Sequence, residues 1–292
     1  MKAILVTGGA GYIGRATCRA LKASGFDPVA FDNLSTGERS AVQWGPFVEG
    51  DLLNRAEIAA ALLQYNPVGV IHLAGHSNVA ESVFNPEKYD ENVWMTCNVA
   101  TSVGRLPVVF ASSAAVYGEG GALAITEGRE LAPLNPYGRT KVSGEHLLPD
   151  AMRLRYFNVA GGSGDRGGHL IPNFLAAAAG KRIFVLHGDG AAVRDYILVD
   201  DVARANVAAL KALIRGQPGE ALNVCSGVGS SVRQVIALCA GADIVPEISE
   251  RRPGDADKLV GSNDRIRKVL RWEPSRDLAG IIRSARERLA WV

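Results

Sequence analysis

The segment Thr7-Gly8-Gly9-Ala10-Gly11-Tyr12-Ile13-Gly14 constrains the fold of this chain more than any other. It follows an apolar run, Ala3 to Val6, and opens a helix-like stretch, Tyr12 to Ser24. Two glycine patterns overlap in it: Gly9, Gly11 and Gly14 make GxGxxG, and Gly8, Gly11 and Gly14 make GxxGxxG. Glycines at these spacings permit a tight turn, let a pyrophosphate reach backbone N–H groups, and allow a helix to pack closely on a strand. The helix N-terminus then offers unpaired donors and the positive end of its dipole to the phosphates. Asp32 closes the second apolar run, Val29 to Phe31, 18 residues beyond Gly14. A carboxylate there can accept both ribose hydroxyls of NAD and would repel the extra phosphate of NADP. Asp51, after Val48-Glu49-Gly50, could meet an adenine edge or cap its own loop.

Further apolar runs recur at Phe47 to Val48, Val68 to Leu73, Val108 to Phe110 and Leu154 to Phe157. Helical stretches at Arg55 to Tyr65 and Pro136 to Leu148 fall between them. Continuous apolar strands alternating with helices indicate a parallel sheet covered on both faces, so the expected class is α/β with a doubly wound, Rossmann-type sheet. The 292 residues, 47% of them hydrophobic, suffice for this core and a smaller lobe. The texture changes after Asn158 to the glycine-rich Gly161 to Gly168, read as a mobile loop. A short helix near Pro172 to Ala179, a strand near Ile183 to Leu186 and an amphipathic helix near Asp277 to Trp291 follow. The expected division is a dinucleotide-binding domain over 1–160 and a smaller α/β substrate lobe over 161–292, with a soft boundary that the chain could cross more than once.

With 32 basic and 30 acidic residues the formal net charge is +2, too balanced for a broad surface for nucleic acid or anionic lipid. Cys18, Cys97, Cys225 and Cys239 lie far apart without a CxxC pair, which reads as free thiols in a reducing compartment. No stretch approaches ~20 continuous apolar residues, so the expected location is the cytoplasm and no membrane partner is expected. His72 and His76 stand four apart without a third ligand, and no metal site is expected.

Tyr137 and Lys141 form a YxxxK step that places both side chains on one helix face. A nearby ammonium, and a positively charged nicotinamide, favour phenolate, so the tyrosine is expected to titrate below its ordinary ~10 and to serve as a base towards a hydroxyl. Ser112 and Ser113 follow Pro107 to Ala111 at the carboxyl end of a strand, where ligands bind in such sheets. Ser113 could bridge tyrosine and substrate oxygen, because a hydroxyl donates and accepts at once.

These residues resemble the extended short-chain dehydrogenase/reductase superfamily and, within it, UDP-glucose 4-epimerases and related UDP-sugar 4-epimerases. The resemblance runs through TGGAGYIG at 7–14, FDNLSTG at 31–37, EGD at 49–51, HLAG at 72–75 and SSAAVYG at 112–118. It continues through NPYGRTK at 135–141, RYFN at 155–158, VRDYILVDDVA at 193–203 and RRPGD at 251–255. It implies an isomerase with resident NAD: Tyr137 takes the proton of the sugar's 4-hydroxyl, Lys141 holds the nicotinamide ribose and lowers the tyrosine pKa, and Ser113 bonds the reacting oxygen. The resulting 4-keto sugar turns about its diphosphate and is reduced on its opposite face. Carried onto this chain, the cofactor-binding residues are Gly8, Gly11, Tyr12, Ile13, Gly14, Asp32, Asn33, Ser35, Thr36, Gly37, Asp51 and Leu52, with Leu73, Ala74, Gly75, Asn92, Tyr137, Lys141 and Tyr156. The UDP-sugar falls to Ser113, Tyr137, Phe157, Asn158, His169, Leu170, Val185, His187, Arg194, Arg252 and Asp255. Two arginines suit a diphosphate, because the guanidinium fork pairs with phosphate oxygens and keeps its charge.

Several positions depart from the family pattern. His169 stands where these epimerases often carry Asn, His187 where an aromatic often lines the uracil pocket, and Ser77 near a usual lysine. Leu259 aligns with a position that limits space around the sugar's 2-substituent, which suggests tolerance of N-acetylated sugars. Dehydratases and decarboxylases of the superfamily carry an acid before the VYG step, where this chain has Ala114-Ala115. Alanine cannot act as a general acid, which favours epimerisation over an NAD-dependent dehydratase or reductase. Retention of Ser113, Tyr137 and Lys141 argues against a non-catalytic binding module. Relatives often dimerise through the helix carrying Tyr137 and the one near Pro86 to Val103; here Pro149 ends the first early, so a weaker dimer or a monomer is expected. The natural sugar, whether a hexose, pentose, uronate or N-acetylhexosamine, stays open at this point.

Overall fold

The structure, a computed structural model, describes residues 2–164, 169–239 and 245–289. Its first half runs β1 (Lys2–Thr7), α1 (Tyr12–Ala23), β2 (Phe26–Asp32), β3 (Phe47–Glu49), α2 (Arg55–Tyr65), β4 (Val70–His72), α3 (Val79–Phe84), α4 (Pro86–Ser102), β5 (Val108–Ser113), α5 (Pro136–Leu147) and β6 (Met152–Tyr156). There follow β7 (Asn158–Ala160), α6 (Leu170–Ala178), β8 (Val185–His187), β9 (Val193–Leu198), α7 (Val199–Ile214), β10 (Ala221–Val224) and β11 (Gly229–Ser231). The chain closes with α8 (Val232–Cys239), β12 (Glu247–Ser249), β13 (Lys258–Leu259), α9 (Asp264–Leu270) and α10 (Leu278–Leu289).

Seven strands form one parallel sheet in the order β10-β6-β5-β4-β1-β2-β3. Both faces are covered, and the side chains of β1 show how: Ile4 and Val6 join α1 and α7 through Leu21, Val202 and Leu210, whereas Leu5 joins α2 and α4 through Ile58, Met95 and Val99. Period-two alternation with apolar residues on both sides is what a doubly covered strand requires. The strand order reverses between β1 and β4, and ligands of such sheets bind at the carboxyl edge beside that reversal.

The smaller lobe has its own core, in which Phe174 and Phe184 meet edge to face with centroids 5.0 Å apart beside Ile281 and Ile282. Its sheet is built on β9, which pairs β7 and β13 in parallel and β11 antiparallel. After residue 160 the chain crosses back to the large sheet. α7 returns to pack on α1 and the large sheet through Val202, Leu210 and their neighbours, and β10 adds the seventh strand beside β6. Asp165, Arg166, Gly167 and Gly168 of the glycine-rich segment, and Trp291 of the expected last helix, lie outside the described residues. No described helix is long and apolar enough to cross a membrane.

Candidate active site

The glycine loop turns tightly at the end of β1. Gly8 adopts φ +69°, and a Cβ there would stand 2.8 Å from the Ala74 nitrogen in the loop after β4. A Cβ on Gly14 would stand 2.0 Å from the Gly8 carbonyl oxygen, so the helix can start this close to the strand only with glycine. Gly11 is the N-cap residue of α1 and provides no side-chain cap; the first turn holds no acidic residue. The helix end thus presents backbone N–H groups and its positive dipole to the cleft, a cradle suited to a pyrophosphate. Asp32 at the end of β2 accepts from the Ala10 nitrogen at 3.0 Å and the Leu34 nitrogen at 2.9 Å, which ties the second strand to the loop. This is the chemistry a dinucleotide needs: an anion cradle with a carboxylate one strand away.

The helix α5 lines the same cleft as this cradle. Asn135 caps it by accepting from the Gly138 nitrogen at 2.8 Å, and Pro136 supplies the preset φ of the first turn. Tyr137 and Lys141 are both buried on the face that meets β5. The Lys141 Nζ donates to the Ala111 carbonyl at 2.9 Å and lies 5.7 Å from the Tyr137 ring centroid. Burial lowers Lys141 to about 8. Burial also pushes the Tyr137 phenol above its ordinary value, and a hydrogen bond with Ser113 opposes that rise. The depression of the tyrosine expected from YxxxK is therefore corrected for the protein alone: desolvation of the phenolate outweighs Ser113, and the charge a bound nicotinamide would bring is not part of the chain.

Nearly all the residues singled out by sequence line one cleft of about 1580 Å³. The cradle, Asp32, Asn33, Ser35, Thr36, Asp51, Leu52, Leu73, Ala74, Gly75 and Tyr156 line one part, and Ser113, Tyr137 and Lys141 face it. From the smaller lobe come Phe157, Asn158, His169, Leu170, Val185, His187, Arg194, Arg252, Asp255 and Leu259. Gly37 and Asn92 are not among the lining residues. Gly37 packs behind the wall, where a Cβ would stand 2.9 Å from the Ala10 Cβ. Asn92 accepts from the His76 nitrogen at 2.8 Å and donates to the His76 carbonyl at 3.0 Å, which clamps the loop carrying Gly75 to α4. Tyr156 sends its hydroxyl away from the cleft to Asn206 Oδ1 at 2.5 Å, leaving its ring for the cleft. Asp51 accepts from the Leu53 nitrogen at 2.8 Å and from Asn33 Nδ2 at 3.2 Å, the loop-capping alternative.

The two histidines after β4 have protein partners. His72 lies between Thr7 Oγ1 at 2.7 Å and Thr96 Oγ1 at 3.2 Å, and burial lowers it to about 3, so the ring is neutral. His76 Nε2 meets Glu91 at 2.9 Å. Sequence reasoning missed Tyr89, whose buried ring meets Tyr137 edge-on with centroids 6.4 Å apart, and Asp195 beside Arg194. Asp195 accepts from Ser226 Oγ at 2.6 Å and from the nitrogens of Ser226, Gly227 and Gly261, so it ties three segments beneath Arg194. Burial raises it to about 6 against those bonds. A fully apolar run would have suited β9 better, and an aspartate inside it was the available signal.

The model of the NAD dependent epimerase/dehydratase family matches residues 4–225. A UDP-glucose 4-epimerase of Rhizobium leguminosarum bv. trifolii is 40% identical over 312 aligned positions, covering 97% of this chain and 95% of that protein. The crystal structure of a UDP-glucose 4-epimerase from Brucella ovis in complex with NAD superposes with a TM-score of 0.92 at 38% identity, over 98% of this chain and 97% of that one. The structure of a UDP-Glc/GlcNAc 4-epimerase from Campylobacter jejuni superposes with a TM-score of 0.86 at 34% identity, over 100% of both chains.

Proposed function

The chain belongs to the NAD dependent epimerase/dehydratase family, and from that premise we propose that it is an isomerase interconverting UDP-glucose and UDP-galactose with tightly held NAD. The observation that carries this reading is the convergence of Ser113, Tyr137 and Lys141 with the glycine cradle on one cleft. Gly8, Gly11, Gly14 and the start of α1 hold the pyrophosphate, and Asp32 takes the ribose hydroxyls. When bound in that cradle, NAD would supply the acceptor and donor of hydride for the sugar's carbon four. Tyr137 removes the proton of the 4-hydroxyl and later gives it back, Ser113 bonds the reacting oxygen, and the Lys141 ammonium favours the phenolate. Arg194, Arg252 and Asn158 anchor the UDP while the sugar turns. The alanine Ala115 at the cleft wall supports epimerisation over dehydration, since no proton donor stands at that step.

Purified protein incubated with UDP-galactose and no added NAD should form UDP-glucose by NMR, and Tyr137→Phe should abolish it. No conversion even with NAD supplied would move the assignment to another UDP-sugar or to the dehydratase reading. The leucine Leu259 in the cleft wall supports a pocket that also admits an N-acetyl group. UDP-N-acetylglucosamine should then react, and Leu259→Tyr should depress that reaction more than the UDP-glucose one. α5 spans only Pro136–Leu147 and exposes Arg139 and His146, which supports a dimer weaker than the family norm, or a monomer. A dimer mass independent of concentration in analytical ultracentrifugation would overturn that. The four cysteines are all free, which fits a reducing compartment, and we place the protein in the cytoplasm.

A further inference from the structure

Behind the catalytic face lies a buried polar network that the reaction itself does not use. Tyr137, Lys141 and Glu145 succeed one another at four-residue steps and so share one face of α5. Glu145 is an acid one turn beyond the essential ammonium, yet Lys141 turns to the Ala111 carbonyl instead. Glu145 is engaged by Arg155 on β6. Its Nε donates to Glu145 Oε1 at 2.8 Å and its Nη2 to Oε2 at 2.7 Å, a two-pronged pair with each side chain 6% exposed. Glu145 Oε1 also accepts from Ser112 Oγ at 2.6 Å, one residue before Ser113. Arg155 Nη1 donates to the Tyr117 hydroxyl at 2.9 Å, four residues after Ser113, and Tyr117 donates to Asn223 Oδ1 on β10 at 2.6 Å.

The network therefore grips the serine-bearing segment on both sides and the tyrosine-bearing helix from below. We propose that Glu145 and Arg155 are positioning residues: their pair fixes α5 against the end of β5, setting Ser113, Tyr137 and Lys141 in register, and keeps the Glu145 carboxylate from capturing Lys141. Burying two charges is no economical route to stability, because apolar side chains of similar volume commonly serve as well or better. A role in geometry accounts for a charged pair at this place, and it rests on the epimerase reading only for what the geometry serves.

The test replaces the pair without leaving a lone buried charge, as Glu145→Leu/Arg155→Met in the NAD-bound protein. Such a variant is expected to melt near the wild-type temperature, while kcat for UDP-galactose falls on the order of 10–100-fold and KM changes by less than about twofold. The Tyr137 phenolate, followed by absorbance and assigned with Tyr137→Phe, should titrate at a higher pH than in the wild type. Arg155→Met alone, which frees Glu145 to take Lys141, should raise that midpoint further. A folded double variant with wild-type kcat and an unmoved Tyr137 titration would overturn the proposal. Should the double variant fail to fold, Arg155→Lys, which keeps charge but loses the fork, decides on the same two readouts. The titration needs no turnover, so an inactive wild type would count against the epimerase reading alone.

Discussion

Lys141 shows how one residue can cost stability and serve chemistry. Burial lowers it from 10.5 to about 8, and between those values the unfolded chain holds a proton that the folded chain has released. Stability contributed at this site therefore rises with pH across that window, and below about 8 the full cost of the buried ammonium stands. Lys141→Met should remove that cost, worth up to ~3 kcal/mol for a shift of this size, less ~1 kcal/mol for the unpaired Ala111 carbonyl. With NAD removed from both proteins, we expect the variant to be more stable than the wild type at pH 7, with the advantage fading as pH approaches 10.5, and to be inactive when NAD is restored; urea midpoints at both pH values measure it. A stability difference that stays constant with pH would show that the ammonium is not desolvated.

At the scale of elements, α5 is held at its start as well as along its buried face. Asn135 caps the helix with Oδ1 and donates through Nδ2 to the Gly254 carbonyl at 3.1 Å, in the turn that carries Arg252 and Asp255. One side chain thus couples the helix of the acid-base pair to the segment that grips the diphosphate. Asn135→Ala should lower stability by ~1 kcal/mol and raise KM for the UDP-sugar. Asn135→Asp keeps the cap acceptor and loses the donor, so it should retain most of the stability and still raise KM. Equal KM in the aspartate variant and the wild type would detach Gly254 from substrate binding. The cap was legible in Asn135-Pro136, whereas the contact with Gly254, 119 residues away, was not.

Across the whole molecule, the large parallel sheet and the sheet built on β9 are woven together by segments that return. Asn206 on α7 donates to Thr17 on α1 at 3.0 Å and accepts from Tyr156 on β6, so the dinucleotide half is locked by residues from beyond it. A fragment of residues 1–160 would lack α7 and β10 and would expose the part of one sheet face that α7 covers beside α1, and the edge of β6. It should show no cooperative thermal transition by circular dichroism, while the full chain shows one. A sharp transition in the fragment would mean that the first six strands form an independent core.

Patterns local to the chain were enough to specify the doubly wound sheet, the glycine cradle with Asp32, and the placing of Tyr137 and Lys141 on one helix face. These are local: strand periodicity, a turn that only glycine can make, and a four-residue helical step are written within a few residues of one another. Only the assembled fold brings Arg155 onto Glu145, joins the Ser226-Gly227 turn and Gly261 to Asp195, turns the Tyr156 hydroxyl to Asn206 and raises Tyr137 by burial. Each depends on which distant groups the fold encloses together and how far it removes them from water. Neither the spacing of residues nor their chemical type encodes that locally.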